Sequence, residues 1–188
     1  AERAEQAMQG AQSVLTGEAG TLTGQIRIGA PDGCANFVLP RVFADLSKAN
    51  PDLDLQIVAQ PRVVNLSRRE ADMAITVSPP TASRLSYQRI TDYTLHLAAS
   101  QTYLRSHPPI TSVADLRHHR IVGYIPDMIF DKELDYLSDL SLDRVALASN
   151  SASVQIQILR QHGGIGIAHD FALPFAPGVT RVLTDALS

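Results

Sequence analysis

The stretch Gly24–Pro51, GQIRIGAPDGCANFVLPRVFADLSKANP, most constrains how this chain can fold. Ile26 and Ile28 alternate with Gln25 and Arg27, the period of a strand with one buried face. The run stops at Gly29-Ala30-Pro31-Asp32-Gly33, after which apolar residues recur at Leu39, Val42, Phe43 and Leu46, a helical spacing. Pro40 fits only in that helix's first turn, where its missing N–H is no loss. A strand that enters a Gly-containing turn and then a helix opens an α/β unit. The helix N-terminus, with free N–H groups and a partial positive charge, then sits at the strand's carboxyl end. Such a place captures small polar or anionic ligands.

The same alternation continues along the chain. Leu53–Val58 reads as a second strand, Asn65–Glu70 as a short polar helix and Ala71–Val77 as a more continuously apolar strand. Strands alternating with helices predict a mostly parallel sheet. Pro79-Pro80 breaks the run. A second series starts with the strand Leu95–Ala99, followed by a short helix capped by Ser100 and another over Val113–His118 capped by Ser112. Then come a strand at Ile121–Ile125, a helix at Asp131–Leu137 and a strand at Val145–Ala148. Ser151 caps a helix over Ala152–His162, which Gly163-Gly164 ends, and strands at Ile165–Ala168 and Thr180–Leu183 follow. The pattern is that of two α/β lobes meeting near residues 90–97. Upstream, Ala4, Met8, Ala11 and Leu15 lie three or four apart and predict a helix over residues 1–16 that Gly17 and Gly20 terminate.

Composition excludes several classes. The 188 residues can bury a sizeable core. The 16 basic side chains are outnumbered by 19 acidic ones, and only Arg68-Arg69 stand adjacent, which argues against nucleic-acid binding by these residues alone. Cys34 is the single cysteine, so no internal disulfide framework exists and a reducing compartment fits. No run approaches the roughly 20 apolar residues of a membrane span. The start, AERAEQAMQG, is neither basic nor apolar enough for a signal peptide. It lacks an initiator Met, so the chain reads as part of a longer protein, and cytoplasm is the expected location.

No constellation here demands catalysis. His96, His107, His118, His119, His162 and His169 show no metal-ligand spacing, and surface positions at element ends account for them. Cys34, near a helix N-terminus, is either a thiol of lowered pKa or a small residue that fits a tight turn. Asp131, Glu133, Asp135, Asp139 and Asp143 lack the order of a calcium loop and read as a solvated face. Gly163-Gly164-Ile165-Gly166 follows a helix and enters a strand, the reverse of a phosphate-binding turn. It predicts a helix C-cap and close backbone approach. No metal or cofactor is expected.

Four segments in their order carry a family resemblance. They are Gly24–Pro51, with Leu39-Pro40 in the helix and Asn50-Pro51 before the next strand; Glu70–Ile75 (EADMAI); Leu95–Leu104 (LHLAASQTYL); and Gly163–Ile167 (GGIGI). Together the chain resembles the effector-binding domain of LysR-type transcriptional regulators. The resemblance implies two Rossmann-like lobes with a ligand cleft between them, the fold of type 2 periplasmic solute-binding proteins. Residues 1–20 would be the end of a linker helix through which these regulators dimerise, 21–94 lobe I, and 95–188 lobe II. By the resemblance, family members continue past the Thr180–Leu183 strand with a second crossover strand and a C-terminal helix on lobe I; this sequence stops at Ser188, so either it is truncated or this member is short.

By the same resemblance the protein would be a sensor and not an enzyme. It would bind a small-molecule effector, pair antiparallel into a homodimer or tetramer, and reach promoter DNA through an N-terminal winged helix-turn-helix outside this chain. A solute-binding protein for a transporter, which shares the fold, is the alternative. The positions expected to line the cleft are strand ends and helix starts. Lobe I offers Asp32, Gly33, Cys34, Arg62, Val63, Val64, Thr76 and Ser78, with exposed Val38, Arg41 or Asp45 contributing to the dimer. Lobe II offers Ser100, Tyr124, Ile125, Pro126, Asp127, Asn150 and Ser151. Family members often carry Ser or Thr where Asp32 stands. An acidic group there either disfavours a carboxylate ligand or merely caps a helix.

Overall fold

In a computed structural model, the strand read from Ile26 and Ile28 is β1, Gly24–Pro31, and it pairs in parallel with β2, Leu53–Gln60. The structure describes residues 22–60, 70–80, 85–129, 134, 135, 137, 140, 142 and 144–184. The helix expected at 1–16, all but the last residue of the one at 65–70, and most of the one at 131–137 lie outside these.

Two helices, not one, join β1 to β2: α1 spans Asp32–Phe37 and α2 spans Leu39–Ala49. Pro40 has no N–H to give the carbonyl of Asn36, so the first helix cannot run on into the second. Leu39 and Phe43 of α2 pack on Ala30 and Ala35, with Ile28, Leu55, Ile57 and Ile75 half-buried around them. Val42 shares the helical period but is 50% exposed, so it belongs to the outer face.

The third strand, expected over Ala71–Val77, is reduced to β3, Met73–Ala74, parallel to β1 on the side away from β2. Asp72 limits it. Its Oδ2 accepts the N–H of Arg27 at 2.8 Å, which removes that donor from the ladder.

From Leu95 onward a second sheet forms, in the order β6-β5-β7-β4-β8. Its strands are β4 (Leu95–Ser100), β5 (Ile121–Gly123), β6 (Leu147–Ala148), β7 (Ile165–His169) and β8 (Val179–Arg181). β5, β6 and β7 run parallel, whereas β4 is antiparallel to both β7 and β8. Both faces are covered, which is why these strands read as continuous apolar runs. Leu97, Ala99, Ile121, Ile165 and Ile167 pack on one side against Tyr103 and Leu116. Ala98, Val122 and Ala168 pack on the other against Ile156 and Leu159 of the helix Ala152–Arg160, here α4. The remaining helix, α3, is Gln101–Ser106, whose first turn Ser100 caps by accepting the Tyr103 N–H at 3.1 Å.

Glycine sets how closely these layers approach. A Cβ at Gly166 would fall 2.7 Å from the Val122 carbonyl oxygen and 3.3 Å from Leu159 Cδ2. The end of α4 differs from expectation in one respect. The residue in the left-handed conformation is His162, at φ 63°, and not a glycine. Its N–H donates to Leu159 O and that of Gly163 to Ile158 O, the paired bonds of a Schellman motif. The His162 ring repays the strain with a 2.8 Å hydrogen bond between Nδ1 and Ser100 Oγ. Among the described residues, no helix is long and apolar enough to cross a membrane.

Candidate functional site

Parallel pairing puts the carboxyl ends of β5, β6 and β7 on one edge of the second sheet. Tyr124 follows β5, Ser149–Ser151 follow β6, and His169 ends β7. The start of α4 lies on the same edge, because Ser151 is its N-cap and accepts the Val154 N–H at 3.1 Å. Ser149 braces this corner: its Oγ accepts the Ser151 N–H and its carbonyl accepts from the buried Gln155 side chain.

The first sheet meets that edge through the carboxyl end of β1. Asp32, the first residue of α1, reaches across so that its Oδ2 accepts from Ser151 Oγ at 2.8 Å and from the Ser153 N–H at 2.9 Å. Gly33 lies so close behind that a Cβ there would stand 3.5 Å from Ala152 Cβ and 3.7 Å from the Phe171 ring. Phe37 and Phe175 add a ring contact at 5.6 Å. Asp32 therefore caps a helix, but the helix belongs to the other sheet.

Aromatic side chains flank this junction. Tyr93 packs on His169 and Phe171 at centroid distances of 5.4 and 5.7 Å, and those two rings lie 5.0 Å apart. Burial, reinforced by the negative charge of Asp32, pushes the Tyr124 hydroxyl up to about 12, so it remains a hydrogen-bond donor at neutral pH. Burial also holds His169 down to about 4, against a smaller opposing pull from Asp170. At neutral pH the site thus contains an uncharged imidazole.

Comparison with known proteins decides what this arrangement belongs to. The LysR substrate binding domain family matches residues 19–187. The chain belongs to that family. Its fold is shared with the regulatory domain of CrgA, a LysR-type transcriptional regulator from Neisseria meningitidis. That match has a TM-score of 0.75 at 18% identity, over 89% of this chain and 84% of the other. Full-length AphB, a virulence activator of Vibrio cholerae, superposes with a TM-score of 0.71 at 21% identity, over 100% of this chain and 66% of AphB. In sequence the domain is 24% identical over 117 residues to the HTH-type transcriptional regulator PtxR of Pseudomonas aeruginosa. That alignment covers 62% of this chain and 38% of PtxR, so the domain spans well under half of that relative. The fold is accordingly the two-lobed, type 2 periplasmic-binding-protein-like one, with Asp32 and Ser151 touching across the lobes.

The LysR domain brings Asp32, Gly33, Tyr124 and Ser151 together, with half-buried Asn150 beside Ser151. Thr76 and Ser78 lie beyond the carboxyl end of β3, where Thr76 Oγ1 donates to the Ser78 carbonyl at 2.7 Å. Ile125 is half-buried, and Pro126 and Asp127 are exposed in a single 3-10 turn. Arg62, Val63 and Val64 lie outside the described residues.

Ser100 is a correction. It is buried at 2% exposure and sits at the opposite edge of its sheet, because β4 runs antiparallel and its carboxyl end points away from the cleft. Cys34 is half-buried in α1, and burial pushes its thiol up, opposite to the lowering that a reactive thiolate requires. The surface reading of the histidines also needs correcting: His118 and His162 are exposed, whereas His169 is buried at 8% exposure. No cluster of three or more His, Cys, Asp or Glu able to hold a metal occurs among the described residues. Tyr93, Ser153, His169 and Phe171 were not singled out by the sequence. Only the proximity of Tyr93 to the expected lobe junction hinted at any of them.

Proposed function

We propose that this domain is the effector-sensing part of a LysR-type transcription factor, binding a small polar metabolite between its lobes. The observation that carries the reading is the meeting of Asp32 from lobe I with Ser151 and Ser153 of lobe II, beside the Tyr124 hydroxyl. Strand ends from two sheets converge there, the usual location of a ligand crevice in open α/β folds.

In the full regulator, promoter DNA would be read by a winged helix-turn-helix preceding this domain. Two copies would set the spacing of those heads. The outer face of α2, with exposed Arg41, Val42 and Asp45 and half-buried Val38, and the apolar groove on α4 lined by Leu147, Val154 and Ile158 are the surfaces suited to antiparallel pairing. An effector shifts that arrangement only by its differential affinity for the two states.

The test is a thermal-shift screen of residues 1–188 against metabolite pools, since a ligand of the folded state raises its midpoint by mass action. At least one compound should give a saturable rise that Tyr124→Ala and Ser151→Ala weaken. Hits that both variants bind as tightly as the parent would overturn a cleft location, and an absence of hits would overturn sensing. With the regulator's own operator, the domain alone should give no specific gel shift and the full-length protein should give one.

A further inference from the structure

Helix α4 spends its N-terminal N–H groups inside the chain. Ser151 Oγ accepts from Val154, and the Ser151 carbonyl accepts from Gln155 at 3.1 Å. The N–H of Ser153 is satisfied by Asp32 Oδ2, an oxygen from the other lobe, 121 positions away in sequence. Asp32 Oδ1 is anchored in turn by Asn36 Nδ2 at 3.1 Å. The start of a nine-residue helix favours negative charge, and here the chain supplies that charge itself. Among the described residues, no Lys or Arg side chain hydrogen-bonds to Asp32 or offsets its charge with an ion pair.

We propose that Asp32 is the specificity-determining residue of the cleft: an internal carboxylate that holds the anion position of α4 and excludes carboxylate and phosphate ligands from it. A ligand's carboxylate entering there meets a like charge and must break two hydrogen bonds that are already made. The competitor is also tethered, so its effective concentration at α4 stays high whatever the solution contains. What the cleft admits is a ligand rich in hydrogen-bond donors, or one that carries positive charge. The inference rests on the cleft being the ligand site.

Sulfate and succinate at about 10 mM and matched ionic strength are suitable probes, added to residues 1–188 and to the Asp32→Ala and Asp32→Asn variants. Binding is read by calorimetry, and the bond itself by amide exchange at Ser153, whose N–H has no intrahelical partner. In the parent, neither anion should bind saturably and the Ser153 amide should be protected. In Asp32→Ala, that amide should exchange about tenfold faster or more, and at least one anion should bind about tenfold tighter than to the parent. Asp32→Asn, which keeps the shape and loses the charge, should lie between the two and serves if the alanine variant does not fold.

Saturable binding of either anion to the parent would overturn the proposal. So would variants that bind anions no better, or a Ser153 amide indifferent to the substitution. These failures are separable from failure of the sensing role: a variant without anion binding beside a parent that still binds a metabolite refutes only the role of Asp32. Gained anion binding beside a parent without any metabolite ligand refutes only the sensing role.

Discussion

The contact between the lobes should be measurable as a coupling energy. Ser151→Ala removes two bonds at once, the cap to the Val154 N–H and the donation to Asp32. Losing a serine N-cap costs about 1 kcal/mol. A hydrogen bond to an ionised group is worth about 1.5–3 kcal/mol, and the lower end applies here because the contact is only partly buried. The single variant should therefore lose about 2.5 kcal/mol. Asp32→Ala removes the same interlobe bond and also leaves the Ser153 N–H without its acceptor. Its cost should be about 3 kcal/mol.

In the double variant the Ser151–Asp32 bond is lost only once. The combined loss should fall short of the sum by about 1.5 kcal/mol. Urea unfolding followed by far-UV circular dichroism is the assay, because the chain has no Trp. With a slope of about 2 kcal/mol per molar, Ser151→Ala should lower the midpoint by about 1.3 M and Asp32→Ala by about 1.5 M. The slopes must agree among the four proteins for the cycle to be read. Additivity within about 0.3 kcal/mol would refute the bond, since independent sites behave that way.

Three further outcomes follow from the same structure. Because burial holds His169 near 4, the unfolded chain takes up a proton below the ordinary histidine value that the folded chain refuses. Stability should therefore fall as pH drops from about 6.5 towards 4, by up to roughly 3 kcal/mol, and His169→Gln should flatten that slope in urea midpoints taken across the range. Gly164→Ala would place a Cβ 2.3 Å from the Arg120 carbonyl oxygen, which also accepts the Ile165 N–H, so a loss of about 2–3 kcal/mol is expected in thermal or urea unfolding. The Asp115 carboxylate, which accepts from the backbone and hydroxyl groups of Thr111 and Ser112, is held well below the usual carboxylate range. Its contribution should be fully present above that range and be lost only as pH falls through the depressed value. A carboxyl carbon NMR titration checks this, and a normal titration of Asp115 would contradict it.

Much of the fold was legible because its signals are local. The alternation at Ile26 and Ile28 and the serine before each of two later helices needed only neighbouring residues to be interpreted. The helical spacing at Leu39 and Phe43 did too, but it could not show that Val42 faces outward or that Val38 divides two helices. Gly163 and Gly164 marked the end of α4, yet His162 took the left-handed position because a ring nitrogen could reach Ser100, 62 residues away.

The site was less legible for the same reason. Strand ends could be located in sequence, but which edge of a sheet they occupy depends on direction, and direction is fixed by pairing between distant segments. β4 runs against β7, which carries Ser100 to the far edge while Tyr124 and Ser151 stay on the near one. The partner of Asp32 was likewise undetermined: a carboxylate after a strand can cap its own helix or another, and only the closeness of the lobes selects Ser151 and Ser153. His169, polar in sequence, is buried because Tyr93 and Phe171 pack against it. Propensity and periodicity thus determined the elements of this protein. Burial, charge and partner at the cleft were decided by tertiary structure, since each depends on groups brought close only when the two sheets meet.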